Sequence, residues 1–232
     1  MRLAQVLFTQ GFGSRRHCAG LIEAGLVRVG GVVVDDAGAE VEPEGLAFEV
    51  EGRAWTYHER ALVLLHKPAG YECSQRPRHH PSVMSLLPAP LRTRGVQPVG
   101  RLDEDTTGLL LLTDDGALTH RLTSPKHHVP KVYAVTLRHP HTAEQLQRLL
   151  DGVVLDDDPQ PVRAAAVDAT GAHTLDLTLT EGKYHQVKRM LAAVGNRVDA
   201  LHRSAFGALR IPQGLAPGQW CWVDAGAIAP SR

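Results

Sequence analysis

Cysteine is scarce in this chain: Cys18, Cys73 and Cys221 are odd in number, widely spaced and include no C-x-x-C pair. A disulfide framework and a cysteine-based structural zinc site are thereby excluded, and the expected compartment is the reducing cytoplasm. Aromatic residues make up only 5% of the sequence, so a core must be assembled from Leu, Val and Ala. No run of about 18 apolar residues exists to span a bilayer. The opening MRLAQVLFTQGFGSRR lacks an apolar stretch of the secretory type, so a soluble, unexported protein is expected. Net charge is missing too, with 25 Lys and Arg against 25 Asp and Glu, which removes the global basic excess of a strongly charged nucleic-acid binder. The glycine patterns of P-loop and dinucleotide sites are absent as well.

What is present is an ordinary globular composition, 43% hydrophobic and 22% charged over 232 residues, enough for one or two domains at roughly 150 residues each. The charges are unevenly placed. Residues 1–31 carry Arg2, Arg15, Arg16 and Arg28 against Glu23 alone, whereas residues 32–59 carry Arg53 against eight acids. A local basic face therefore survives within a neutral whole. Residues 2–10 and 14–24 read as two short helices, the first with Leu3, Val6 and Leu7 on one face, the second opened by Ser14 as N-cap and ended by Gly25. LVRVGGVVVDD alternates and turns at Gly30-Gly31, a hairpin signal, and LAFEVEG adds a strand. The polar stretch 51–60 has no clear period and marks a boundary between a domain of residues 1–59 and one of residues 60–232.

In the second domain, strands are expected at about 61–66, 108–113, 131–138, 162–168, 173–180, 197–204 and 219–223, with helices near 115–123, 142–151 and 184–195. That order predicts an α+β fold with a largely antiparallel sheet, preceded by a small helical and hairpin domain. Residues 74–98 are too rich in proline for regular structure throughout and are expected to wrap the surface.

The sharpest local feature is Val99-Gly100-Arg101-Leu102-Asp103-Glu104-Asp105-Thr106-Thr107-Gly108, which runs straight into the apolar strand LLLLT. An acid-rich loop beside a buried strand can hold a carboxylate in a cleft. It can equally be a solvated turn in which Asp103 or Asp105 caps local backbone N–H groups, and spacing alone names no reaction.

G-R-L-D followed by D-T-T-G-L-L-L-L-T-D-D-G resembles the signature of the pseudouridine synthases. The resemblance continues through TSPKHHVPKVYAVTL and EGKYHQVKRMLAAVGNRV to LHRSAFGALRI and LAPGQW, and so covers about residues 60–223. It implies that Asp103 is the catalytic nucleophile, that Lys188 pairs with it, and that Tyr133 lies against the target base. Arg101 would then bind phosphate or fill the gap left by an extruded nucleotide. The chemistry is consistent with this. A nucleophilic carboxylate must stay ionised in a partly desolvated pocket, which calls for a nearby cation. Lys188 and Arg189 are successive helix residues about 100° apart, so only one should face the site, and Arg189 is expected to face RNA or solvent. The wording D-E-D-T-T-G, T-D-D-G and T-S-P-K-H-H is closer to the branch acting on small-subunit ribosomal RNA than to its large-subunit relatives.

The N-terminal segment G-F-G-S-R-R-H-C-A-G-L-I-E-A-G-L-V-R-V-G-G-V-V-V resembles a small RNA-binding domain first recognised in a small-subunit ribosomal protein. By that resemblance Ser14, Arg15, Arg16 and Arg28 contact backbone phosphates. The acids at Asp35, Asp36 and Glu40 depart from the usual basic pattern and imply a smaller footprint. The expected partner is ribosomal RNA, within a small-subunit assembly intermediate, met by a monomeric protein. No cofactor is expected, and no metal either: His79-His80 and His127-His128 are adjacent pairs, which rarely chelate one ion. A large-subunit target and a non-catalytic RNA-binding or ribosome-assembly protein are the rival readings, although such a binder would be free to lose the four residues named above.

Overall fold

The computed structural model describes residues 1–228. It divides into two compact units, one of residues 1–61 with 87–97, the other of residues 62–86 with the chain from Pro98 onward.

The first unit begins with α1 (Leu3–Thr9) and α2 (Arg15–Glu23). Ser14 caps α2 by accepting a hydrogen bond from the His17 N–H at 3.2 Å, and Gly25 leaves the helix at φ +70°. Four short strands follow: β1 (Val27–Val29), β2 (Val32–Val33), β3 (Ala47–Val50) and β4 (Arg53–Thr56). They form an antiparallel sheet in the order β2-β1-β3-β4. Gly30 and Gly31 both take positive φ, as a two-residue hairpin turn of this hand requires. Leu3, Val6, Leu7, Cys18, Ile22, Val27, Phe48 and Trp55 are buried, and Phe12 packs edge-on against the Phe48 and Trp55 rings.

Residues 87–97 return to this unit and are not the irregular wrap that their prolines suggest. They hold α3 (Ala89–Thr93), entered through Pro88, with Leu91 buried. Arg94 donates to the Gln10 side-chain oxygen at 2.9 Å and to the His58 and Glu59 carbonyls at 2.8 and 3.0 Å. Gly11 lies so close to Pro90 that a Cβ there would sit 2.2 Å from its carbonyl oxygen.

The second unit contains β5 (Leu62–Lys67), and the chain re-enters it through β6 (Gln97–Pro98). Then come β7 (Thr107–Thr113), α4 (Gly116–Thr123), β8 (Lys131–Leu137), α5 (Ala143–Asp151), β9 (Val153–Leu155), β10 (Asp158–Val162), β11 (Ala166–Gly171) and β12 (Thr174–Leu179). The last elements are α6 (Gln186–Ala193), β13 (Val198–Phe206), β14 (Leu209–Arg210) and β15 (Trp220–Trp222). The main sheet runs β11-β12-β8-β13-β7-β5-β15, antiparallel throughout except where β13 lies parallel to β7, and β14 hairpins back on β13. This is the α+β arrangement with a largely antiparallel sheet that the sequence predicts. The strand expected at 162–168 is two strands, because the prolines of β10 (Pro159 and Pro161) confine it to a small ribbon with β9.

β7 is central and covered on both faces, so its apolar residues run continuously instead of alternating. Leu109 and Leu111 meet Leu118 and Leu122 of α4, with Leu62, Leu64 and Phe206, in one core cluster. Asp115 starts α4 by accepting from the Ala117 and Leu118 N–H groups. α5 opens with a capping box of Thr142 and Gln145.

Candidate active site

One register row of the sheet places most of the site. Tyr133 on β8 stands opposite Arg203 on β13, Arg203 opposite Gly108 on β7, and Gly108 opposite Lys67 on β5. Residues opposite one another share a face of a sheet, so this row aligns three polar side chains with a glycine among them. The glycine is obligatory. Its φ is +108°, and a Cβ would lie 2.3 Å from the Arg203 carbonyl oxygen and 2.7 Å from its nitrogen.

Lys67 is fully buried, and its ammonium donates to the carbonyls of Pro68 at 3.1 Å, Asp103 at 3.0 Å, Glu104 at 3.1 Å and Thr106 at 2.8 Å. Burial pushes its pKa down, against the opposing pull of Cys73, Glu104, Asp105 and Asp103 nearby. The acid-rich loop is thus wound round a buried cation. Leu102 is buried beneath it, with its N–H directed to the Cys73 sulfur at 3.4 Å.

Above that loop the Asp103 carboxylate lies between two basic groups, 3.0 Å from the Lys188 Nζ and 3.2 Å from the His185 Nε2. Lys188 also reaches Asp105 at 2.7 and 2.9 Å. Burial works against the charged form of Lys188, but its hydrogen bonds to Asp105 and Asp103 prevail and raise its pKa. Burial pulls the Asp105 pKa up, but the Lys188 hydrogen bond and charge outweigh it and hold the carboxyl below its usual range. His185 takes up its place because it stands at the head of α6 in the left-handed conformation, φ 49°, with the Tyr184 ring stacked on it at 3.8 Å.

Asp103, Tyr184, His185 and Lys188 line a cavity of about 520 Å³ that also takes in Arg101, Lys131, Tyr133, Leu201 and Arg203. Tyr133 is buried to 9% exposure and shares a strand face with Lys131 and Val135, while Arg101 is exposed. Arg189 is turned away from Asp103: it pairs with Asp157 and donates to the Tyr184 carbonyl at 3.1 Å. In the other unit Arg15 lies over the Phe8 ring at 5.0 Å, Arg16 is exposed, and Arg28 is exposed with a hydrogen bond to the Gly31 carbonyl at 3.1 Å. Among the described residues no group of three or more His, Cys, Asp or Glu side chains could hold a metal ion.

Sequence reasoning passed over four residues here. Lys67, Lys131 and Arg203 are charged side chains that the sheet buries, and only the alternation of β8 carried a sign of one of them. His185 sits three residues from Lys188, but the left-handed turn that aims it at Asp103 left no trace in the sequence pattern.

Residues 61–193, which carry both the aspartate loop and the helix-borne lysine, match the family described as RNA pseudouridylate synthase. Residues 1–45 match the S4 domain. The chain belongs to the RNA pseudouridylate synthase family. Among its relatives it is 41% identical to the ribosomal small subunit pseudouridine synthase A of Yersinia pestis, over 95% of this chain and 93% of that one. It is 38% identical to an uncharacterized RNA pseudouridine synthase of Bacillus subtilis, again over 95% of this chain and 93% of the relative. A crystal structure of a pseudouridylate synthase superposes with a TM-score of 0.69 at 33% identity, covering 98% of both chains.

Proposed function

We propose that the protein isomerises one uridine of small-subunit ribosomal RNA to pseudouridine, with Asp103 as nucleophile, Lys188 as its charge partner and Tyr133 against the base. The observation that carries this reading is the Asp103 carboxylate held at 3.0 Å from Lys188 within a cavity large enough for a nucleotide base. The small-subunit target follows from what the relatives are named for.

The reaction exchanges a C–N glycosidic bond for a C–C bond, is redox-neutral and calls for no cofactor. The target nucleotide leaves the helical stack at a cost of a few kcal/mol. Arg101, exposed beside the cavity, binds phosphate or replaces the lost stacking. Residues 1–59 form the RNA-binding part, with Arg15, Arg16 and Arg28 on phosphates, and residues 60–232 the catalytic part. Arg189 contributes to RNA binding only when it exchanges Asp157 for phosphate. The protein works as a cytoplasmic monomer on an assembly intermediate; no helix among the described residues is long and apolar enough to cross a membrane.

The test is primer-extension mapping of carbodiimide-treated ribosomal RNA incubated with wild-type protein or with Asp103→Ala. One new stop in small-subunit RNA, absent with the variant, is expected. A stop in large-subunit RNA alone moves the target, and no stop on RNA or precursor particles removes the enzyme reading.

A further inference from the structure

The cavity has a second charged wall that the roles above leave unused. Lys131 on β8 is 8% exposed and Arg203 on β13 is 2% exposed, and both line the same space as Asp103 and Tyr133. Phe206 stands opposite Lys131 in the register, and both cations lie over its ring, Lys131 at 5.2 Å and Arg203 at 5.4 Å. Among the described residues neither cation has a carboxylate within ion-pairing distance. Lys131 donates to the Val129 carbonyl at 3.1 Å. Arg203 donates from Nε to the Leu109 carbonyl at 2.7 Å, while its Nη2 is buried without a partner. A register irregularity between Arg203 and Ala205 marks the place where β13 departs from regular pairing with β8.

Two adjacent cations taken out of water without a counter-charge are unfavourable unless something anionic enters the site. A purely structural arginine would have both ends of its guanidinium satisfied. Phosphate fits this wall poorly, since phosphates track the exposed side of an RNA and these two side chains lie deep, Arg203 opposite Tyr133 in the register and Lys131 on the same strand face as Tyr133.

We infer that Lys131 and Arg203 are catalytic residues that contact the carbonyl oxygens of the uracil and stabilise the base while it is detached from the sugar. The inference rests on the reading of Asp103 given above. The C1′–N1 bond breaks with its electron pair going to the base, where the charge spreads over N1, O2 and O4. This holds whether an Asp103 oxygen adds to C1′ or removes the C2′ proton. The base then attacks through C5 to form the C1′–C5 bond, and Asp103 either leaves C1′ with its own electron pair or returns the proton to C2′. Finally the C5 proton is lost and N1 gains one, so that the product is an isomer of the substrate. The negative charge exists only between the two bond changes, and fixed donors aimed at it act where they lower the barrier most.

The experiment compares wild type, Lys131→Met, Lys131→Arg and Arg203→Lys, with ribosomal RNA as substrate, measuring single-turnover rate at saturating protein, RNA affinity, its salt slope and Tm. Lys131→Met is expected to lower the rate by about 100-fold, with affinity and salt slope unchanged and Tm not below wild type. Lys131→Arg should restore most of the rate. Arg203→Lys, which keeps the charge but withdraws the buried Nη2, should lose rate without affinity and covers the case in which Lys131→Met does not fold. A wild-type rate in Lys131→Met or in Arg203→Lys overturns the inference, as does a loss of affinity with a shallower salt slope, which marks a phosphate contact. Should wild type itself form no pseudouridine while Asp103→Ala behaves identically, it is the underlying reading that fails.

Discussion

The two charged walls of the cavity solve opposite problems. On one, Asp103 contacts Lys188 at 3.0 Å and His185 at 3.2 Å, and Lys188 is shared with Asp105 behind it at 2.7 Å. On the other, Lys131 and Arg203 have no acid within ion-pairing distance among the described residues and face a cavity instead. The first wall holds a reactive group in a defined state before substrate arrives. The second carries an electrostatic penalty that an anionic ligand would relieve. An ionic network alone is weak grounds for assigning a function, because it is complete without substrate; the unbalanced wall is the one that implies something missing.

The largest way to break this comparison is to unbalance the first wall. Lys188→Met should reduce turnover by roughly 10²–10³-fold while leaving RNA affinity nearly unchanged, since it strips the shared cation from Asp103 and Asp105. Equal losses in rate and affinity, measured under single turnover and by direct binding, would assign Lys188 to RNA contact instead.

Next comes relief of the second wall. Burial and the neighbouring Arg203 charge lower the Lys131 pKa from 10.5 to about 8. A lysine whose folded pKa lies below its unfolded value penalises the native state while charged, below about 8. The penalty fades as pH rises from there toward 10.5. Lys131→Met should therefore stabilise the protein near neutral pH, by at most about 3 kcal/mol, with the gain shrinking above pH 8. Denaturant melts of both proteins between pH 7 and 10 check this, and a gain that stays constant with pH would refute it.

The smallest effect sharpens the comparison by leaving both walls alone. Arg15→Glu with Arg16→Glu, on the exposed side of α2 in the other unit, should weaken RNA binding by about tenfold and make its salt slope shallower by about 1–2. Single-turnover rate at saturation should not move. Unchanged affinity and slope would show that this face is not the RNA contact.

The first wall was largely legible in the sequence, and the second was not. Asp103 and Lys188 sit in contiguous stretches, G-R-L-D and H-Q-V-K, and the family resemblance of those stretches was enough to expect the contact between them. Ser14 was readable as a cap because capping is local. Lys131 and Arg203 are 72 positions apart, and a buried lysine in an alternating strand has the same sequence pattern as one pointing into solvent. Their meaning comes from strand register, which no local pattern specifies. α3 escaped for a related reason: its tie to the first unit runs through Arg94, Gln10 and Gly11, contacts of long sequence separation. The prolines of 74–98 pointed to a segment without regular structure throughout and said nothing about docking.

Gly108 bears on how such an enzyme can change. Because the main chains of β7 and β13 meet there with no room for a Cβ, the spacing of the two strands in the site's floor is a property of the sheet, and only the loop above it is tied down by a side chain, Lys67. Loops at the rim are then free to diverge and to dock onto differently shaped RNA without detuning the chemistry. Natural drift can rewrite the address while the reaction centre is inherited unaltered.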